Sequence, residues 1–491
     1  MTTDQGSKPS TKRVFKPGRL RGGALGAIGA AVLAMAFMGP ATSVAFNTPP
    51  AAAKIGYALP FGILLAMIAC LIMASTIGSF SSKLPSSGFA YTFNTNAFNK
   101  GTGFVSGWLL VFAYGAVGPM LFSAMGGFGS QFLKSQFHWD VSWWIVSAFI
   151  LAVVWFIGRL GVTRSAKTSL IFLTLEIGVL LSLFSTVIFK GGAQGNSLAT
   201  FNPHNSLTGL SGIGFGMLWG ILMFVGFESA GTLGEETRNP KKNISRALFI
   251  AVILVGIIYV LSGYATSIGF GMSHVKALSS SASPLTTLSN SFWGPNVAWL
   301  ITLTVLNSQF ANVLSGSNAA VRIVFSLGRE GIFNRRLGTT NERDNPVTAQ
   351  TVYIIFAAIV TFALGAWIGP LGAYDFLGSI LGLGIIVLYI MMNVGLVVYF
   401  HRRFANEFNI FKHAVLPILG SLLMLLPIYG QLWPIPPWPY DLVPYLIVVW
   451  VAVGFGYFTF IRSKRPHLID AMGRVWEPDA TLPEPRHVLD I

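Results

Sequence analysis

Apolar residues along this chain form long runs that are separated by short polar segments. A window of about 19 residues finds twelve such runs. They lie near 25–53, 58–82, 103–133, 143–160, 165–189, 211–234, 247–270, 296–327, 348–369, 374–400, 411–431 and 442–461. Because about 20 apolar residues are enough for one helix to cross a bilayer, the pattern predicts an all-α polytopic membrane protein with twelve transmembrane helices.

The composition agrees with a membrane protein. Of the 491 residues, 53% are hydrophobic and only 10% are charged, whereas soluble domains carry about 25% charged residues. The mean hydropathy is +0.65. These values exclude an ordinary soluble globular protein and make the lipid bilayer the main partner of the chain.

The net charge of +15 would suggest nucleic acid binding in a soluble chain. An even number of spans leaves both termini on one side, and short cytoplasmic loops collect Lys and Arg. Of the 32 basic residues, 28 fall on the side of the termini, and the exceptions are Lys54, Lys134, Lys190 and Lys276. The positions of the basic residues therefore indicate how the chain crosses the membrane. They predict a cytoplasmic (plasma) membrane protein with both termini in the cytoplasm and no nucleic acid partner.

Several functional classes lose support from missing motifs. The chain has no Gly-Lys dipeptide, so the phosphate-binding GxxxxGK[ST] loop of ATP-driven pumps is absent. It also has no TVGYG filter of potassium channels and no His/Cys cluster with metal-ligand spacing. We expect no catalytic residues, no metal and no cofactor.

The first span is interrupted in the middle of the membrane. Its initial apolar stretch, 25–38, has 14 residues and is about 21 Å long as a helix, whereas the hydrocarbon core is about 30 Å thick. The next residues are Gly39, Pro40, Ala41, Thr42 and Ser43. Proline lacks an amide donor and glycine tolerates non-helical angles, so this segment predicts a broken helix.

The sixth span contains a second break. Its centre reads Phe224, Val225, Gly226, Phe227, Glu228 and Ser229. Irregular backbone at membrane depth is tolerated where it lines a cavity, and paired broken helices at corresponding positions of two halves point to the binding site of a transporter.

The positions of the two breaks predict the domain organisation. Breaks in spans 1 and 6 fit two repeats of five helices, and an odd number of helices forces the second copy to be inverted. The predicted parts are a cytoplasmic tail (1–23), a first repeat (24–190), an inverted second repeat (211–400), two further helices (411–461) and a cytoplasmic tail (462–491).

Two acidic residues are counted within the spans, Glu176 in the fifth and Glu228 in the sixth. A carboxylate at the bilayer centre costs about 2.5–3.5 kcal/mol, so each requires a partner or a function. Glu228 is predicted to bind substrate or a proton. Glu176 is a second candidate for proton coupling, and the alternative for it is a neutral acid hydrogen-bonded between helices.

Two further features remain open between function and structure. Ser308, Asn312 and Ser315 share one face of the eighth span; they could coordinate a cation, although hydrogen bonds between helices are the commoner use of such residues. The mixed charges of the loop at 234–246 either gate the cytoplasmic exit or form a solvated loop, since exposed ion pairs contribute only about 0–1 kcal/mol.

Two segments resemble the amino acid, polyamine and organocation transporter superfamily. They are FVGFESAGTLGEETRNPKKNISR at 224–246 and NAAVRIVFSLGREGIFNRRLG at 318–338. The resemblance covers about 24–400 and implies a five-plus-five inverted repeat with two extra helices, alternating access, and amino acid or amine substrates. It also implies that the backbone at 39–43 and 224–229 holds the carboxylate and amino groups of the substrate.

The chain departs from that family at some positions. Glu176 stands where several proton-coupled relatives carry a lysine, which leaves sodium as the alternative to the proton. Leu222 stands where a gating tryptophan is expected, so an aromatic gate would use Trp219, Phe224 or Phe227. The sequence thus predicts a secondary active amino acid transporter with proton symport and no enzymatic activity. The alternatives are an importer or exchanger of polyamines or other organic amines and, more remotely, a membrane sensor or scaffold.

Overall fold

The computed structural model of the protein describes residues 23, 25–86, 88–159, 162–234, 236–341, 345–466, 469 and 472, and for 162–169 it describes the backbone only. Most of the two predicted tails, 1–22 and 473–491, lies outside the described residues.

The described residues form an all-helical structure in which seventeen α-helices follow one another along the chain. They are α1 Ala27–Met38, α2 Pro40–Ile55, α3 Leu59–Lys83, α4 Ala90–Ala97, α5 Lys100–Phe137, α6 Trp143–Gly158, α7 Val162–Phe189, α8 Gly209–Phe224, α9 Ser229–Thr232, α10 Pro240–Phe270, α11 Val275–Ser279, α12 Pro284–Phe292, α13 Ala298–Arg329, α14 Val347–Ile368, α15 Pro370–Arg403, α16 Leu416–Leu432 and α17 Leu442–Lys464. A π-helical turn, Phe411–Val415, leads into α16.

Nine stretches of the described residues are long and apolar enough to cross a bilayer. The first, Ala27–Lys83, has 57 residues and includes α1, α2 and α3, which is enough for two crossings. Two further helices are not among these nine stretches, because α6 is shorter and α13 is more polar than they are. Counting the first stretch twice and adding α6 and α13 accounts for the twelve predicted spans.

Burial separates the helices into an inner and an outer group. Most residues of α1, α2 and α8 and of the part of α5 before residue 130 are buried or half-buried, whereas α14, α16 and α17 expose large apolar side chains. Ile359 of α14 and Phe455 of α17 are each more than 60% exposed. Apolar side chains are compatible with lipid as well as with a protein interior, so the outer helices face the bilayer and shield the inner ones.

The packing of helix pairs follows the predicted repeats. The helices that are second in each predicted set, α3 and α10, pack along each other. The third helix of the first set, α5, packs on the fifth of the second, α15, and α13 packs on α7 in the reciprocal way. This exchange of equivalent partners is what two inverted copies would give. The repeat boundaries themselves stay a prediction.

Candidate functional site

The first predicted break is present at Gly39, between α1 and α2. Gly39 has a left-handed backbone conformation (φ 54°, ψ 74°), and a Cβ atom here would lie 2.5 Å from Nδ2 of Asn312. The position therefore needs glycine for its backbone angle and for its close contact with α13. Pro40 then begins α2, where its missing amide removes no intrahelical bond.

The second predicted break lies between α8 and α9. Helix α8 ends at Phe224, and the residues up to Glu228 form turns before α9 begins at Ser229. Gly226 has φ 118°, and a Cβ here would lie 2.8 Å from Cγ of Phe37 and 3.0 Å from the amide nitrogen of Met38. The two breaks are therefore in direct contact in the core of the protein.

Ser43 also joins the two interrupted helices. Its hydroxyl donates to the carbonyl oxygen of Met38 at 2.6 Å and lies 3.4 Å from that of Met223. These carbonyls belong to the C-terminal ends of α1 and α8, where helices leave acceptors without intrahelical donors. The Ser43 hydroxyl thus contacts one free carbonyl oxygen at the end of each helix.

Glu176 lies at the N-terminus of α2. Its Oε1 accepts a hydrogen bond from the amide of Ala41 at 2.6 Å, and the next amide, of Thr42, donates to Oγ of Ser308 at 3.1 Å. Glu176 is 3% exposed. A carboxylate at a helix N-terminus is favoured by the free amides and by the helix dipole, so Glu176 and Ser308 bind α7 and α13 to the start of α2.

Glu228 holds the second break. Its Oε1 accepts from the hydroxyl of Tyr114 at 2.8 Å, and its Oε2 accepts from the amide of Gly226 at 3.0 Å. The carboxylate is completely buried. These two hydrogen bonds hold Glu228 against the irregular backbone around Gly226 and link this break to α5.

A cavity of about 20 Å³ lies beside the two breaks, which is room for about one water molecule. Eight of its twelve lining residues are apolar. The complete lining is Phe37, Met38, Ser43, Asn47, Val117, Met120, Leu121, Leu222, Val225, Asn312, Tyr374 and Leu381. Of the predicted site residues, Ser43, Val225 and Asn312 line this cavity, whereas Glu176 and Glu228 do not.

One side of this cavity is formed by a contact between α2 and α15. The hydroxyl of Tyr374 donates to Oδ1 of Asn47 at 2.9 Å, and the Tyr374 ring lies 5.4 Å from that of Phe46, between centroids. Sequence reasoning missed this pair, which is separated by more than 300 residues. The aromatic gate candidates Trp219, Phe224 and Phe227 are buried outside the cavity lining; Phe224, for example, packs on Tyr259.

A second small cavity, also of about 20 Å³, lies between the breaks and the basic loops. Ser229 and Ser315 line it, together with Arg322. The predicted polar face of α13 is thus present: Ser308 binds α2, Asn312 lines the central cavity and Ser315 lines the second one.

A buried ion pair lies beside this second small cavity, which Arg322 lines. Nε of Arg322 is 2.7 Å from Oε1 of Glu236, and both side chains are less than 10% exposed. The backbone of Leu25 is bound to the same loop on both sides: its amide donates to the carbonyl of Glu236 at 3.1 Å, and its carbonyl accepts from Arg238 at 2.7 Å. Within the charged loop, Glu236 is therefore buried and paired, whereas Arg238 is exposed.

The count of acids within the spans is wrong. A third acid, Asp375, lies in the second turn of α15, and it was already inside the predicted span 374–400. Asp375 lies near the N-terminal end of this apolar run, not at its centre.

Together these features define a multi-pass membrane protein in which two broken helices surround a central cavity. The chain belongs to the amino acid permease family, whose model matches residues 25–458. This is a family of transporters, not of enzymes.

The chain is similar to several characterised permeases. It is 24% identical to the branched-chain amino acid permease BcaP of Lactococcus lactis over 402 residues, which cover 77% of this chain and 83% of that protein. It is 31% identical to the L-methionine/branched-chain amino acid exporter YjeH of Escherichia coli over 178 residues, 36% of this chain and 40% of YjeH. It is also 24% identical to the low-affinity putrescine importer PlaP of Escherichia coli over 425 residues, 83% of this chain and 86% of PlaP.

Proposed function

We propose that the protein is a secondary active transporter that moves neutral amino acids with apolar side chains, together with protons, by alternating access. The observation that carries the proposal is the central cavity between the two breaks. Its lining is mostly apolar, and among the described residues that form it none is charged. In the closed state the cavity has room for about one water molecule. When it opens, its apolar lining would suit an aliphatic side chain, and the backbone groups of the two breaks would suit the polar end of an amino acid.

The substrate's polar groups are assigned to the two breaks, at 39–43 and 224–229. The N-terminus of α2 offers amides and a positive dipole end, which favour a carboxylate. The carbonyl groups released near Phe224 favour an ammonium group. Ser43 bridges the two segments and borders the cavity, which supports this assignment.

The occupied amides of α2 suggest how a proton is coupled to the substrate. Ala41 and Thr42 donate to Glu176 and Ser308 in the present closed state. A substrate carboxylate that takes these amides displaces Glu176. A buried carboxylate without donors is costly, so Glu176 then takes up a proton, and substrate and proton travel together.

Glu228 is the second candidate for the proton. Its two hydrogen bonds, from Tyr114 and from Gly226, stabilise its charged form in the closed state. If the second break moves during transport, these donors are lost and the neutral form becomes favoured for the same reason as at Glu176. The alternative coupling ion, sodium, would instead use oxygen atoms such as those of Ser308 and Asn312.

A polyamine or other organic amine is the alternative substrate, and the similarity to a putrescine importer supports it. A dication in an apolar cavity needs a carboxylate as its partner. Both oxygens of Glu228 are already bonded to groups of the protein itself. The two relatives whose names mention branched-chain amino acids also favour the neutral substrate.

The orientation is part of the same proposal. The ion pair of Arg322 with Glu236 closes the end of the path that carries the basic loops. With 28 of the 32 basic residues on that side, we assign it, and both termini, to the cytoplasm of a cell whose plasma membrane holds the protein. The repeats are assigned to 24–190 and 211–400.

Uptake into liposomes tests the proposal. The purified protein is reconstituted, and the uptake of labelled leucine, methionine, lysine and putrescine is measured under an inward proton gradient, an inward sodium gradient and no gradient. We expect leucine and methionine to accumulate at least tenfold above protein-free liposomes, and only with the proton gradient.

Two results would contradict the proposal in different ways. Accumulation of putrescine in preference to leucine would support the amine importer. No uptake or exchange of any of these solutes, by protein that retains its thermal unfolding transition, would support a sensor or scaffold.

A further inference from the structure

A large apolar groove lies outside the transport path. Its volume is about 470 Å³, within the range of pockets that bind small molecules, which is about 300–1,000 Å³. It lies between α5, α13, α14 and α15, with Trp450 of α17 along one edge. Val111, Phe112, Gly115, Phe356 and Trp450 belong to its wall.

The groove opens toward the bilayer. Val352 and Phe356 of α14 line it, and each is nearly half exposed. From Val352 to Val360 the groove follows α14 for about 12 Å at 1.5 Å per residue. The groove thus runs from the basic side of the protein toward the middle of the membrane.

Another cavity, of about 710 Å³, lies at the basic end of this groove, and we call it the arginine cavity. The two cavities share Phe333, which lines both. Arg335 and Arg465 line the arginine cavity. Tyr457 also lines it, and the hydroxyl of Tyr457 donates to the carbonyl oxygen of Ile332 at 3.1 Å. Both arginines are exposed, and within the described part of the chain no carboxylate pairs with Arg465.

We propose that the apolar groove and the adjoining arginine cavity form one binding site for an anionic phospholipid of the cytoplasmic leaflet. The phosphate group would lie between Arg335 and Arg465, and an acyl chain would follow the groove past Phe333 toward Trp450. The site shares no lining residue with the central cavity, although Tyr114, the donor to Glu228, belongs to the wall of the groove.

The chemistry favours this occupant over others. A basic cavity on the cytoplasmic side of transmembrane helices is suited to an anionic headgroup, and arginine is well matched to phosphate oxygens. The wall of the groove is almost wholly apolar, so it offers no donors for a peptide backbone. An acyl chain needs none.

Native mass spectrometry of the full-length protein tests the site. The delipidated protein in detergent is titrated with dioleoyl phosphatidylglycerol or dioleoyl phosphatidylcholine, and retained lipid is counted after mild activation. The wild-type protein is expected to retain one phosphatidylglycerol at least fivefold more than phosphatidylcholine. The double variant R335Q/R465Q is expected to lose this preference, while R246Q, which changes an exposed arginine on the same side of the membrane at the start of α10, keeps it.

A second pair of variants tests the acyl-chain part. A Cβ added at Gly115 meets only Phe356, at 3.7 Å, so Gly115→Leu fills the groove without forcing the backbone to move. Gly178 of α7 is exposed, and a Cβ there meets nothing within 4 Å, so Gly178→Leu is its matched control. We expect Gly115→Leu to reduce retained phosphatidylglycerol at least fivefold and Gly178→Leu to leave it unchanged. All variants are first compared with the wild type by thermal unfolding without lipid.

Each other outcome overturns the proposal. Equal retention of the two lipids, or equal retention by all variants that unfold like the wild type, would mean that no such site exists. A loss in Gly115→Leu alone would indicate an apolar site without headgroup selection. A protein that forms dimers and loses them in Gly115→Leu would assign the groove to a second copy.

Discussion

Oε1 of Glu176 accepts a hydrogen bond from the amide of Ala41 at 2.6 Å, where α2 begins after the first break. The acid belongs to α7, and the amide belongs to the segment that we assign to the substrate's carboxylate. In the proposed mechanism, substrate and Glu176 compete for the same donors, and proton uptake follows from substrate binding.

Replacing Glu176 with glutamine should separate transport from the proton. The amide side chain still accepts the hydrogen bond from Ala41 but cannot be protonated. We expect Glu176→Gln to exchange labelled for unlabelled leucine at close to the wild-type rate. Its proton-driven accumulation of leucine should fall at least tenfold. Both are measured in liposomes over a range of external pH.

The control for this prediction is Glu407→Gln. Glu407 forms an exposed ion pair with Lys83 at 2.7 Å, and such pairs contribute little to stability. The assignment of Glu176 is wrong if Glu176→Gln keeps the pH dependence of the wild-type protein.

Glu228 should be sensitive to its hydrogen bond from Tyr114. We expect Glu228→Gln to abolish proton-driven leucine uptake, because this acid is the other proton candidate. Tyr114→Phe removes one donor to a buried carboxylate and should lower the free energy of unfolding by about 1.5–3 kcal/mol. Uptake and thermal unfolding of both variants are the measurements, and Glu228→Gln that transports with unchanged pH dependence would rule out the proton role.

Both breaks could be predicted because their signals are local. Gly39 is followed by Pro40, and Gly226 lies two residues before an acid, so a short window contains the reason why each helix stops. The broad architecture is predictable for a similar reason, since twelve apolar runs need only length and hydropathy. The number of acids within these runs was wrong, since Asp375 lies inside the run at 374–400.

The partners of the buried acids could not be predicted in this way. Glu176 binds an amide 135 residues away, and Glu228 binds a hydroxyl 114 residues away. Such contacts depend on how helices pack and rotate, and periodicity alone does not fix them. The outer contact between Asn47 and Tyr374, across 327 residues, was missed for the same reason.

The ion pair of Arg322 with Glu236 should control access from the cytoplasmic side. Removing one partner leaves the other charge buried and unpaired, at a cost of about 3–5 kcal/mol, so Arg322→Gln should populate a state that is open inward. The only cysteine, Cys70, is buried, and a Cys70→Ala protein allows a single new cysteine at Ser315 to be labelled. We expect Arg322→Gln to raise the labelling rate of this cysteine by an impermeant maleimide at least fivefold.

The charge-reversed pair provides the control for the inner gate. The double variant Arg322→Glu/Glu236→Arg restores opposite charges and should return the labelling rate toward that of the parent. Lys83→Gln, which breaks an exposed pair, should have no effect. An unchanged rate in Arg322→Gln would mean that other contacts, such as those of Leu25, close this end.

The uncharged lining of the central cavity should determine the choice between neutral and cationic substrates. Asn312→Asp changes one lining side chain with almost no change in size. With a neutral substrate the new carboxylate has no partner, and a carboxylate within the membrane costs about 2.5–3.5 kcal/mol. We therefore expect leucine uptake to fall at least tenfold and binding of lysine or putrescine to increase, as measured by inhibition of leucine exchange.

Asn307→Asp is the matched control, because Asn307 lies on the same helix but outside the cavity lining, with its side-chain amide directed to the carbonyl of Phe172. If Asn312→Asp transports leucine as the wild-type protein does, residue 312 does not contact the substrate and the cavity is not the binding site. If the wild-type protein already prefers putrescine, its selectivity comes from groups outside this lining.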